Sequence, residues 1–555
     1  MDRLLQKELG AFYTPNEYAK LSQKMLINYI EKVIKPKHKD YIIIDRCAGI
    51  GRLEEGLPDD ILKHCILSTV ESNEYLILQE RFKDKALVVT STTDALSYDI
   101  IPTKKDNDGN IIEDKIRDKI KDPNCVIIMY ENPPYSEVAG GTTHDKAKAN
   151  AWKNSYICTE MKKEYKGVIT NDLANLFIWS AFKYYLRNED DSYIVYSPIK
   201  YFKTQNLVNK KIRNGFICNR KHFSATAGAI SCIQWINRDK TFNKVTLAAY
   251  DIENNKLKKE SKCLHVQKCY NLLSNAYDKR TFTDDTEDGI ICEANGLEFD
   301  NNGRQIRVKP IDNKNIIGYM ICSGFDIDIK HVYLVRNSLA YGNGFYLRAD
   351  NYLEKLPLFV ASLPSNVLNI WYNRGLVCKS YDKGDVYLSD NDFIRKCFIY
   401  TCLSFQNKCR SLFGSNNKLY YNELTFNNQD IDNDTESYIT LADKQLKIYK
   451  DNNELTNTEK DLINRFYKIL TYIRNKDDED KYLIDEYIDS YTYGTFQIKE
   501  EINIKVITRH TNKGKEIKDY KYPALNDMLK VLKKKLKAYY KYFILPDLLK
   551  YELIK

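Results

Sequence analysis

The sequence predicts an α/β protein, with an open, doubly wound sheet over residues 1–240, an α+β region over 241–440 and a mainly helical stretch over 441–555. Three observations carry that expectation. Short apolar runs of strand length (41–44, 65–70, 86–90, 126–129 and 193–196) alternate with segments of helical period. Three of the runs lead to a carboxylate, at Asp45, Glu71 and Asp94. A fourth leads to Asn132, Pro133, Pro134 and Tyr135, where two residues that cannot donate to a ladder hydrogen bond stop the strand. The carboxyl ends of strands are where an open α/β sheet binds ligands, so polar residues at successive strand tips point to a site.

Taken in order, Gly10, Ala11, Phe12, Tyr13, Thr14 and Pro15 form a rigid loop ahead of segment 18–34, whose apolar positions Leu21, Met25, Leu26, Ile30 and Val33 have helical spacing. Run 41–44 is a buried strand by composition. Its tip, Asp45, opens the turn Arg46, Cys47, Ala48, Gly49, Ile50, Gly51, where backbone can approach a ligand closely, and a helix is expected to follow with its N-terminus aimed at the same place. Glu71 stands some twenty residues beyond that turn, the spacing at which a doubly wound fold presents a carboxylate to ribose hydroxyls. Asp94, followed by Ala95 and Leu96, can accept from the amino group of an adenine ring. Residues 101–123 are charged and read as a surface insertion before the strand at 126–129.

The cluster after that strand suits a narrow chemistry. The Asn132 carboxamide oxygen and the Pro133 carbonyl are two acceptors that can hold both hydrogens of a planar NH₂ group, while the Tyr135 ring can stack on an attached heterocycle. Residues 140–153 read as a basic loop beside it, with His144 a solvated loop residue. Segment 172–186 is an aromatic-rich helix, and two strand-like runs bracket Phe223.

Composition bounds the partners. A chain of 555 residues with 43% apolar content supports two or three cores. The formal charge of +9, from 85 basic and 76 acidic side chains, is compatible with a polyanionic partner without requiring one. The fourteen cysteines contain no CxxC pair, and Cys397, Cys402 and Cys409 are spaced unlike a zinc knuckle, so reduced thiols and no metal are expected. No apolar run approaches a bilayer span and residues 1–9 are charged, so a cytoplasmic protein with no membrane association is expected.

The order of these pieces resembles the S-adenosylmethionine-dependent DNA adenine-N6 methyltransferases of the gamma arrangement, a restriction-modification family, in which a cofactor-tail motif precedes the glycine motif and Asn-Pro-Pro-Tyr comes last. The resemblance covers roughly residues 8–240. It implies a Rossmann-like methyltransferase domain and S-adenosyl-L-methionine as cofactor, with Tyr13, Thr14 and Pro15 at its methionine end. Asp45, Cys47 and Gly49 would line the pocket, Glu71 would bind the ribose, and Asp94 with Ala95 the adenine. Asn132, Pro133, Pro134 and Tyr135 would hold a flipped target adenine, with Phe223 on its other face. Arg46 stands where the family has small residues or proline, and no role is implied for it.

The second half adds no chemistry of its own. Residues 241–440 are expected to be a target-recognition region on double-stranded DNA, because the methylating site cannot choose a sequence alone; Arg336, Asn337, Asn343 and Arg348 are of the kind that reads base edges. Leu525, Met528, Leu529, Leu532, Leu536 and Tyr539 describe a closing helix with a lysine-covered outer face. Gln497, Ile498 and Lys499 faintly resemble a metal-nuclease strand. A restriction or specificity subunit is a further expected partner. Two alternatives stay open: an RNA or protein-glutamine methyltransferase on the same fold, and a non-catalytic DNA-binding subunit of a restriction-modification complex.

Overall fold

The computed structural model describes residues 13–91, 95–96, 118–134, 151–224, 228–276, 316–321, 332–335, 344–363, 376–413, 417–432, 437–476, 482–511 and 514–555. The chain divides into two compact units, 1–270 with 370–376, and 271–369 with 377–555.

The first unit is built on one sheet. Its strands are β1 (Asp40–Asp45), β2 (Cys65–Ser68), β3 (Val88–Thr90), β4 (Cys125–Glu131), β5 (Ser192–Ser197), β6 (Lys210–Asn219), β7 (Ala229–Asp239), β8 (Lys244–Glu253), β9 (Lys256–Lys259) and β10 (Leu264–Gln267). They run in the order β10-β8-β6-β7-β5-β4-β1-β2-β3, with β9 paired to β8. The stretch β3-β2-β1-β4-β5 is parallel throughout. β7 is antiparallel to both β5 and β6. Ile43 stands opposite Cys65 on one side and Ile128 on the other.

A parallel sheet is covered on both faces, and this explains the unbroken apolar runs. Along β4, Val126, Ile128 and Tyr130 enter one core with Tyr41 and Ile43, while Cys125, Ile127 and Met129 enter the other with Ile42 and Ile44. Helix α1 (Asn16–Tyr29) covers the first face through Tyr18, Met25, Leu26 and Tyr29, and α2 (Ser72–Phe82) adds Leu78 and Phe82 to it. Each such side chain, fully buried, contributes about 1.5–3 kcal/mol. Polar pins fix the docking: Ser22 Oγ meets Tyr130 Oη at 2.7 Å and accepts from Tyr196 Oη at 2.9 Å. On the other side, α3 (Tyr156–Glu164) packs Ile157, Cys158 and Met161 against Leu176 and Trp179, of which Leu176 and Trp179 belong to α4 (Leu173–Ser180).

Two expectations are corrected here. No helix follows the glycine turn directly: residues 46–56 run through turns, with Gly49, Gly51 and Gly56 at φ of 57°, 77° and 94°. Backbone in that region cannot propagate a right-handed helix, and a single helical turn forms only at Asp59–Leu62, behind Pro58. Nor does the sheet stop at residue 240, since β8 and β10 carry Leu247, Ala249, Leu264 and Val266 into the second core.

In the second unit, β11 (Ile316–Ile321) lies between β12 (Tyr333–Val335) and β13 (Gly344–Arg348), antiparallel to both. Helices α5 (Tyr352–Ser362), α6 (Asn391–Cys402), α7 (Leu441–Asp451), α8 (Asn457–Arg474) and α9 (Pro523–Tyr539) are the longest of its described helices. Two short antiparallel pairs complete it, β14 (Leu412–Phe413) with β15 (Leu419–Tyr420), and β16 (Lys505–His510) with β17 (Glu516–Tyr520). α9 turns Leu525, Leu529, Leu532, Leu536 and Tyr539 inward and leaves its lysines exposed. Gln497 and Lys499 lie on helical turns, so the strand that a nuclease reading needs is not formed. The Arg348 guanidinium is engaged by Asp350 at 2.9 Å; Arg336, Asn337 and Asn343 lie outside the described residues. Among the described residues no helix is long and apolar enough to cross a membrane, and no group of three or more His, Cys, Asp or Glu residues is placed to hold a metal.

Candidate active site

The strand order reverses between β1 and β4, and a doubly wound sheet opens a crevice beyond the carboxyl ends at such a point. Asp45 is the last residue of β1 and Glu131 the last of β4, so the chain leaving both strands must shape that crevice. A cleft of about 230 Å³ is found there, far more than the 10–15 Å³ or so that one water needs. Tyr13, Thr14, Asp45, Cys47, Gly49, Glu71, Ala95, Asn132 and Pro134 all line it.

One wall comes from the loop before α1. Thr14 is buried, and its Oγ1 accepts a 3.0 Å hydrogen bond from Asn132 Nδ2, which ties that loop to the segment leaving β4 and fixes the orientation of the carboxamide. Tyr13 donates to Glu74 Oε1 at 2.7 Å, and Thr69 donates to Glu74 Oε2 at 2.9 Å. Burial and the adjoining Glu74 push the Tyr13 phenol well above its usual range, so it stays protonated as the donor. Pro15 stands at the start of α1, its carbonyl accepting from Tyr18 and Ala19, and Pro133 is buried; neither lines the cleft.

The floor is the turn after β1. A Cβ added at Gly49 would touch Tyr13 Cε1 at 3.4 Å and Glu74 Oε2 at 3.6 Å, so the backbone there is close to two walls. Asp45 Oδ1 accepts from the Cys47 amide at 2.9 Å, and the buried Asp45 carboxyl is hydrogen-bonded to the side chain of Glu54. Burial, then the neighbouring Glu54 and Glu131, raise the Asp45 carboxyl well above its usual range. Glu54 is fully buried and pushed up to about 8, chiefly by that burial. Two carboxyls this close and this dry hold at least one proton at neutral pH. Glu71 is exposed at the head of α2, where its side chain makes no capping bond.

Arg46 is the surprise of the site. It is 4% exposed, and its Nε and Nη2 donate to Glu131 at 2.6 and 2.9 Å, with Nη1 to Ser180 Oγ at 2.7 Å and Nη2 also to the Phe177 carbonyl at 2.8 Å. Tyr193 donates to Glu131 Oε2 at 2.8 Å, the oxygen that also accepts from Nη2. The guanidinium also lies over the Phe177 and Tyr185 rings, 5.2 and 4.9 Å from their centroids. Burial works against its charge, and Glu131 more than offsets this, so the group stays cationic. The residue after Asp45 and the residue before Asn132 are thereby locked together.

Phe223 is not in the cleft. It is 2% exposed and stacks on Tyr18 with ring centroids 5.8 Å apart, within the first-face core, because the turn between β6 and β7 folds its ring inward. Asp94 and Tyr135 lie outside the described residues. The sequence reading missed Glu74, Phe177 and the Arg46–Glu131 pair. Glu74 was findable as the acid one helical turn beyond Glu71, and Glu131 as a lone charge closing a run that is otherwise apolar.

No protein-family model matches this chain, and no curated protein matches it. Among solved structures, the type IIG restriction endonuclease BpuSI aligns at 14% identity and a TM-score of 0.29, over 43% of this chain and 26% of that one. A structure from Listeria monocytogenes assigned as a class I S-adenosylmethionine-dependent methyltransferase aligns at 14% identity and a TM-score of 0.28, over 43% of this chain and 66% of that one. This chain thus spans about a quarter of the first protein and just under two thirds of the second. Likenesses so distant assign no activity.

Proposed function

We propose that the first unit is an S-adenosyl-L-methionine-dependent methyltransferase acting on the exocyclic amine of adenine in duplex DNA. The observation that supports this best is the Thr14–Asn132 hydrogen bond in a switch-point cleft. It joins the two segments that the resemblance gives to the cofactor tail and to the target amine. The residues present fit the cofactor: Gly49, where an added Cβ would meet Tyr13 at 3.4 Å, keeps the floor of the cleft open, the exposed Glu71 suits ribose hydroxyls, and Ala95 offers an apolar contact beside them. Tyr13, Thr14 and Gly49 would hold its methionine end. Asp94, by resemblance, would meet its adenine. When bound, the cofactor supplies an electrophilic methyl carbon.

The chain's own residues then orient the amine. The Asn132 carboxamide oxygen and, by the resemblance, the Pro133 carbonyl would accept its two hydrogens, so that the nitrogen lone pair turns toward the cleft, and such acceptors favour the positive charge that develops on nitrogen. A base in a duplex cannot reach such a pocket, so the adenine must be flipped out, with Tyr135 replacing part of the lost stacking. The proton can leave through water after transfer.

The test is methyl transfer from labelled S-adenosyl-L-methionine to duplex DNA, read by incorporation and by modification-sensitive sequencing. Asn132→Ala is expected to lower the rate by about 10²-fold or more while the far-ultraviolet circular dichroism is unchanged. Wild-type turnover in Asn132→Ala would remove the site assignment. Label appearing in transfer RNA, ribosomal RNA or protein glutamine in place of DNA would move the substrate.

A further inference from the structure

The second unit carries a feature that the cleft does not use. β16 and β17 form a two-stranded ribbon with no third partner among the described residues, and none of residues 504–511 or 514–522 is buried. An isolated ribbon of two strands is barely stable in water, so one held out with both faces wet needs a reason. Its root is anchored: Lys521 donates its amide to the Ile504 carbonyl at 2.8 Å, and Tyr522 donates its amide to Asn503 Oδ1 at 2.8 Å and its hydroxyl to Glu486 at 2.6 Å. The arm beyond the root is basic. Lys505, Arg509, Lys515 and Lys518 stand against Glu516 and Asp519. Glu516 is occupied by Lys518 at 3.3 Å and Asp519 by the Thr508 hydroxyl at 2.7 Å. The side chains of Arg509 and Lys515 form no ion pair or hydrogen bond among the described residues, and both are exposed.

We propose that this ribbon is a duplex-DNA contact, laid along a groove with Arg509 and Lys515 on phosphates. The proposal rests on the methyltransferase reading, which requires a DNA partner, and it places a contact outside the region expected to read sequence. The dimensions agree. Two strands about 4.8 Å apart with their side chains fill a major groove about 12 Å wide, which admits a two-stranded ribbon. Lysines alone would suffice to keep a bare edge from pairing with another chain; an unpaired arginine with its planar fork is better suited to phosphate.

The test is the salt dependence of full-length protein binding to a short fluorescent duplex, measured by anisotropy. Replacing both side chains (Arg509→Gln with Lys515→Gln) is expected to weaken binding about tenfold, equally on unrelated sequences, and to lower the slope of log K against log salt by about 2. The exchange Arg509→Lys with Lys515→Arg is expected to keep the slope. An unchanged affinity and slope in the glutamine variant overturns the proposal, as does a slope change found with single-stranded RNA and not with the duplex. The two readings can fail separately. Duplex binding with the ribbon-dependent slope but without methyl transfer leaves the ribbon and removes the enzyme; methyl transfer to duplex DNA with a slope that ignores Arg509 and Lys515 does the reverse.

Discussion

Arg46 shows how a side chain unsuited to a strand-tip turn becomes its fastener. Removing one member of a buried ion pair leaves the other charged and unpaired, at a cost of about 3–5 kcal/mol, whereas removing both is far milder. Arg46→Met is therefore expected to destabilise the protein by about that much in denaturant titration, and Glu131→Gln in the same chain to recover more than half of the loss; a single-variant cost below about 1 kcal/mol would show that the pair does not fasten the turn. Glu54 makes a prediction of opposite character. Its carboxyl rises from 4.5 to about 8 on folding, so between those values the folded state holds a proton that the unfolded state has lost. The associated stability is fully present below pH 4.5 and is lost as pH rises through 8. Because Asp45 titrates with it, the midpoint belongs to the pair. Glu54→Gln is expected to flatten the fall in Tm between pH 5 and 8.5 relative to wild type; parallel curves would sink the assignment. Asp45, Glu71 and Asn132 were legible because each stands at or within three residues of the end of an apolar run that forms a strand. Arg46 and Phe223 were not, since whether a side chain points into a cleft or a core is decided by packing partners far away in sequence, Glu131 for the one and Tyr18 for the other.

At the scale of elements, the strands from β1 to β5 were readable for the same reason that they are stable, burial on both faces. The glycine turn was misread in its continuation. Gly51 serves α2 rather than a ligand: a Cβ there would lie 2.2 Å from Phe82 Cε2 and 3.0 Å from Leu78 Cδ1, at a φ of 77°. Gly56 has a similar backbone, at 94°, with nothing within 4 Å of an added Cβ. Comparing Gly51→Ala with Gly56→Ala therefore separates crowding from strain. Both lose about 1–2 kcal/mol to the left-handed backbone, and Gly51→Ala is expected to lose about 1–3 kcal/mol more by overpacking. Equal losses in urea titration would mean that the turn can move away from α2. The helices of the second unit carry clearer local signals. α7 and α8 each begin with a capping box, Thr440 with Asp443 and Thr456 with Glu459, which places their first residues without reference to the rest of the fold.

At the scale of the molecule, each unit has its own buried core, and ligand effects should respect that division. The first unit's cleft is assembled from segments far apart in sequence, the loop before α1, the turn after β1, the head of α2 and the segment leaving β4. That scatter is why the boundary near residue 240 was misplaced: β8 and β10 carry too little periodic signal to announce that they extend a sheet begun two hundred residues earlier, and only the core they complete reveals it. A ligand that bridges such segments stabilises every element whose opening breaks the cleft. S-adenosyl-L-methionine at about one hundred times its Kd should add roughly 2.7 kcal/mol to the opening free energy of the unit that binds it. In native-state hydrogen exchange this is expected to appear on the amides of β1, β4 and α1, whose exchange requires the cleft to come apart. The amides of α7 and α8, packed around Leu446, Leu462, Phe466 and Leu470 in the second unit, are expected to exchange at the same rate with and without it. Equal protection gained in both units would show that they open together, and no gain in either would remove the cofactor from the cleft.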